Sequence, residues 1–83
     1  MGIYYNPPQN LPQIGRKIYA KSHKELLENL QEGEHLFGLF DRGVFYNAPL
    51  LDEKRQYDAF MRQVILGNVQ MIGFFAVKDE DLI

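Results

Sequence analysis

The sequence predicts an α+β fold, a two-layer sandwich with two helices packed on one face of a three- or four-stranded mixed sheet. Three observations carry that expectation. Residues 35–40 (HLFGLF) and 69–77 (VQMIGFFAV) are apolar at most positions, as strands buried on both faces are. Residues 22–31 and 52–66 carry apolar side chains at helical spacing instead. Glycine and proline punctuate the joints, at Gly33, Gly43, Pro49 and Gly67.

Taken in order, residues 1–15 (MGIYYNPPQNLPQIG) are expected to form an extended arm. Pro7, Pro8 and Pro12 disfavour regular helix and ladder pairing, and the Pro7-Pro8 pair suits polyproline geometry. Ile3, Tyr4, Tyr5, Leu11 and Ile14 make this arm apolar enough to lie across its own domain or a neighbour. Residues 16–83 then form a single α+β domain. Arg16 to Ala20 is its first strand. Ser22 to Glu25 is a Ser-x-x-Glu capping box, in which hydroxyl and carboxylate satisfy each other's backbone amides. The helix it opens runs to about Gln31, with Leu26, Leu27 and Leu30 on one stripe and Gly33 as its stop.

In the next strand Leu36 and Phe40 face opposite to Phe37 and Leu39. Asp41-Arg42-Gly43 is a turn, with Gly43 able to take positive φ. Val44 to Ala48 returns as a strand, with Phe45 and Tyr46 on opposite faces, until Pro49 ends it. Asp52 is expected to cap the second helix, whose stripe of Tyr57, Phe60, Met61, Val64 and Ile65 is the clearest periodic signal. Gly67-Asn68 closes this helix before the last strand. Residues 78–83 are read as a solvated, mostly acidic tail.

Residues 28–40 and 62–75 echo each other: helix, glycine stop, then an apolar strand with a glycine before its final pair. The resulting β-α-β-β-α-β order resembles the ferredoxin-like arrangement or a variant strand order of it. That resemblance implies the second and fourth strands at the sheet edges. Here those are the two most apolar strands, and exposed apolar edges invite association. Three arrangements resolve the conflict: a strand order that puts them in the middle, dimerisation through the sheet, or coverage of the second face by Tyr4, Tyr5, Leu11 and Ile14. Arm coverage combined with dimerisation is the favoured expectation.

Composition narrows the chemistry. A chain of 83 residues is one domain with a small core. The net charge of −2 offers no cationic surplus for nucleic acid or anionic lipid. Cysteine and threonine are absent and Ser22 is the only serine, so nucleophiles are scarce and thiolate metal sites are excluded. No apolar run approaches the roughly 20 residues of a membrane span, and no signal pattern opens the chain. A cytoplasmic protein is expected.

Residues 41–46 (DRGVFY) resemble the start of the third-strand motif of RNA-recognition domains, where a basic residue and glycine precede base-stacking aromatics. That resemblance implies a single-strand binder with Tyr19 and Tyr46 as the stacking pair. Val44 stands at the first aromatic position, and Asn47-Ala48-Pro49 breaks the remainder. His23 is expected to be solvated after its cap, and His35 to mark a sheet boundary. No catalytic, metal-binding or cofactor residues are assigned. The expected function is a non-enzymatic protein-interaction or regulatory module that binds a partner protein or itself. Its partner-binding residues would be Tyr4, Tyr5, Leu11, Tyr46 and Phe74. Short cysteine-free chains with an apolar arm are a common format among phage and mobile-element accessory proteins, and that origin is expected here.

Overall fold

A computed structural model describes residues 10–43 and 46–82. The elements run α1 (Leu11–Ile14), β1 (Arg16–Ile18), α2 (His23–Glu28), β2 (Glu34–Asp41), β3 (Tyr46–Asn47), α3 (Lys54–Ile65) and β4 (Gln70–Lys78), followed by a 3₁₀ turn at Asp79–Leu82. The sheet has four strands in the order β1-β4-β2-β3, and every neighbouring pair is antiparallel. The expected mixed sheet is therefore corrected to an antiparallel one. The two most apolar strands lie side by side at its centre, whereas the ferredoxin-like order puts them at the edges.

The β2–β4 ladder organises the two faces. Phe37 pairs with Phe75 and Leu36 with Ala76, so the side chains alternate as the sequence predicts. The register shifts between Leu39 and Phe40, which pair with Gly73 and Met71 and leave Ile72 as the extra residue of a bulge. A one-residue slip reverses facing, so Met71 joins the helix side with Phe40.

On the helix side, Ile18, Leu26, Leu36, Phe40, Leu51 and Val69 are buried together, with Leu30, Tyr57, Phe60 and Val64 packed against them. The Phe40 and Phe60 rings stack with centroids 5.3 Å apart, fastening α3 to β2. The expected α3 stripe needs one correction. Val64 packs inward, but Ile65 lies about 100° further round the helix and points to solvent. Leu27 is likewise exposed, being one position past the buried Leu26.

The other face is covered by pieces. Leu11, Phe37, Leu39, Ala48, Phe75 and Val77 form its buried cluster, and Ile14, Leu50 and Leu82 pack on it. Leu11 and Ile14 thus lie over the second face, in a helical turn rather than an extended arm. The first helical N–H groups lack intrahelical partners anyway, so Pro12 at the second position loses no bond there. Residues 1–9, including Tyr4 and Tyr5, lie outside the described residues, as do Val44 and Phe45.

Loop chemistry follows the sequence closely. Gly33, Gly43 and Gly67 all take positive φ. The Ser22 hydroxyl accepts from the Glu25 amide at 3.2 Å as expected, but the Glu25 carboxylate accepts from the Lys21 N–H at 2.9 Å in place of the expected Ser22 amide. Beside β2, the Leu51 N–H donates to the Leu36 carbonyl at 2.7 Å and the Gly38 N–H to the Pro49 carbonyl at 3.2 Å. Residues 49–51 therefore line the edge of β2 beyond β3.

Gly15 is the tightest point beneath α1. A Cβ there would stand 2.8 Å from the Leu11 carbonyl oxygen and 3.0 Å from the Phe75 Cβ. Neither atom is the end of a flexible side chain, so Gly15→Ala must push α1 off the sheet. The expected cost is about 1–3 kcal/mol, measured by urea unfolding. A variant as stable as the parent would show that α1 is not held by the second face.

Candidate functional site

A polar cluster lies where β2 begins. His35 is the second residue of that strand, Asp52 precedes α3, and Asp79 follows β4. His35 Nδ1–H donates to Asp52 Oδ2 at 2.6 Å, and His35 Nε2–H donates to Asp79 Oδ1. The other Asp52 oxygen accepts from the Leu36 N–H at 2.5 Å. Asp52 was expected to cap α3. Its carboxylate is instead turned to the strand, and Glu53 holds the cap position without a side-chain bond. An ionised ring neighbour and a strand amide outcompete the helix end for that carboxylate. The expected solvated tail is corrected as well, since Asp79 is bonded and Leu82 packs on the second face.

While both bonds run to ionised carboxylates, which only accept, both ring nitrogens carry protons and the ring is an imidazolium. Burial pushes its pKa down, but the hydrogen bonds and charges of Asp52 and Asp79 outweigh burial and hold it above the ordinary histidine value. A ring with both nitrogens engaged this way has no lone pair to act as a base.

His23, expected in solvent, is buried, and its Nε2–H donates to the Leu51 carbonyl at 2.8 Å. Its ring lies 4.7 Å from that of Tyr57. The bond tucks the first turn of α2 under the segment that leads to α3. Both histidines therefore grip neighbouring residues, Leu51 and Asp52, and serve as ties between elements.

A second ion pair holds the start of β1. Arg16 Nη2 donates to Glu34 Oε1 at 2.6 Å and to the Asn29 carbonyl at 2.8 Å. The Glu34 side chain is 4 % exposed and also accepts from the Gln31 N–H at 2.7 Å. Burial pushes the Glu34 pKa up, but the Arg16 and Gln31 bonds and the charges of Arg16 and Lys78 hold it below the usual carboxylate range. Among the described residues no three His, Cys, Asp or Glu side chains are grouped to hold a metal ion. No helix among them is long and apolar enough to cross a membrane.

The residues expected at a partner surface are dispersed. Leu11 is fully buried on the second face, and Phe74 is half-buried on the helix side, 5.9 Å from Tyr57. Tyr46 lies in β3, paired with Asp41, and Tyr4 and Tyr5 are outside the described residues. Tyr19 is 77 % exposed, with Lys17 Nζ 5.5 Å from its ring centroid. Tyr46 lies in the edge strand β3 and Tyr19 just after the opposite edge strand β1, and three strand spacings, about 14 Å, separate the two edges.

As candidates, sequence reading missed the two most exposed aliphatics among the described residues. Ile65 and Leu66, at the end of α3, are 80 % and 64 % exposed. Adjacent aliphatics before a helix-closing glycine are a signal, because a helical stripe cannot bury both of two consecutive residues as well as Val64. No family model matches the chain, and neither a curated protein nor a solved structure matches it.

The two ion pairs set opposite pH limits on stability. The His35 pKa is raised on folding, so its contribution is complete below about 6.5, the unfolded value, and is lost as pH rises through the folded value. The Glu34 pKa is lowered, so its contribution is complete above 4.5 and is lost as pH falls through the folded value. Asp52→Asn should cost about 1–2 kcal/mol below about pH 6.5, given the part-exposed ring, and should flatten the decline above that pH. Urea unfolding across pH measures both. An unchanged high-pH limb in the variant would rule out the His35–Asp52 pair as its source.

Proposed function

We propose that this chain is a non-enzymatic protein-interaction module that associates with a second copy of itself through the end of α3. The observation that carries this reading is the exposure of Ile65 and Leu66 side by side. Burying an aliphatic side chain of this size contributes about 1.5–3 kcal/mol, and a two-fold contact uses the same pair on both copies. The small net charge of −2 sets up little repulsion between copies.

Two further features support it. Both faces of the central strands are covered by the chain's own segments, so a docking surface is better sought outside the sheet. Both histidines, the readiest acid–base groups, are engaged in ties between elements. Single-strand nucleic-acid binding has less support, because Tyr19 and Tyr46 sit at opposite sheet edges rather than on neighbouring strands.

Sedimentation velocity over a range of concentrations tests this reading. The natural chain should move from monomer to dimer as concentration rises. The double variant Ile65→Glu, Leu66→Glu should stay monomeric with its thermal midpoint unchanged, since neither side chain is in the core. A natural chain that remains monomeric throughout sinks the proposal, as does a double variant that dimerises equally well.

A further inference from the structure

The Asp79–Leu82 turn is joined to the rest of the fold in three ways. The Asp79 N–H donates to the Gly33 carbonyl at 2.9 Å, Leu82 packs on the second-face cluster, and the Asp79 carboxylate accepts from His35. The turn is one piece of a cover that also includes α1 and Leu50. We propose that it is a protonation-controlled strap, fastened to the second face by the imidazolium form of His35 and unfastened when the ring loses one proton.

The geometry says which bond yields. A neutral ring keeps one N–H, so one carboxylate must face a nitrogen lone pair, which repels it. Asp52 is 31 % exposed in its side chain and is anchored by the Leu36 N–H as well as by the ring. Asp79 is 63 % exposed in its side chain, so water reaches it readily. The remaining proton stays on Nδ1 with Asp52, the Nε2 proton leaves to solvent, and Asp79 swings out.

Among the described residues, the charged groups bonded to the ring are Asp52 from the segment before α3 and Asp79 from the turn itself. On its own strand, the neighbouring Glu34 is turned to Arg16, with Lys78 opposite it on β4. The ring's own β4 partner, Val77, is apolar. The raised pKa of His35 is in keeping with two fastened carboxylates and sets release above the ordinary histidine value of 6.5.

Nitrogen-15 NMR of the natural chain across pH tests the strap without requiring any variant to fold. At about pH 5.5, a unit below the ordinary histidine pKa, both His35 ring nitrogens should carry protons, and the backbone order parameters of residues 79–82 should be about 0.85. As the ring titrates, Nε2 should lose its proton first, and those order parameters should fall below about 0.6 with the same midpoint. Asp79→Asn should loosen the turn at every pH while leaving the shifts of Asp52 and Leu36 in place. A turn that stays ordered while His35 loses its proton overturns the proposal. So does a ring that already carries a single N–H at about pH 5.5, a unit below the ordinary histidine pKa.

Discussion

Strands β2 and β4 are apolar on both faces and pair with each other along nearly their whole length, and the rest of the structure answers to that pairing. A two-layer sandwich covers one face with helices and leaves the other to solvent. Here solvent would meet Phe37, Leu39, Phe75 and Val77, so a second cover is required. The chain builds the first cover from α2 and α3. It makes the second from a helical turn before β1, the Leu50 segment and the turn after β4. Placing the two apolar strands at the centre also removes them from the edges. The edge positions fall to the three residues of β1, two of them basic, and to the two residues of β3.

Pieces this short bury too little to hold themselves. A single turn such as α1 or the 3₁₀ turn has no helical stability of its own in water. Polar ties make up the difference, and they converge on the start of β2. Glu34 fixes β1 through Arg16, and His35 fixes both the segment before α3 and the C-terminal turn. His23 adds a third tie by gripping Leu51. Among the described residues no buried side-chain polar atom is left without a partner, as a small core demands. Because these ties are partly ionic, the second cover inherits a pH dependence that a purely apolar cover would lack.

What was legible in the sequence is what depends on neighbours along the chain. The alternation of Leu36 and Phe40 against Phe37 and Leu39, the Ser22 cap and the three positive-φ glycines all follow from local pattern. Strand order was not legible, because the same β-α-β-β-α-β sequence of elements suits several orders. The roles of Asp52 and Asp79 were hidden for a related reason. A carboxylate before a helix reads as a cap, and a terminal acidic run reads as solvated, until a long-range partner such as His35 claims them. His23 was misread because its position after a cap says nothing of Leu51, which lies 28 residues away. The Ile72 bulge escaped notice too, since a one-residue insertion leaves the apolar run unbroken.

A chain that must cover two sheet faces has few large aliphatics to spare, and this gives the end of α3 its meaning. Helix α3 has no fully buried residue; it packs through Tyr57, Phe60 and Val64 along a narrow stripe. Moving Ile65 inward would require turning the helix by about 100°, which would unstack Phe60 from Phe40. At the rotation fixed by the Phe40–Phe60 stack, Val64 packs and Ile65 is left outside. The exposed pair carries no demand from the core, so polar residues there would cost the fold nothing and would favour solubility. That aliphatics stand there instead is the reason to look for what covers them, and a second α3 end presents the same chemistry.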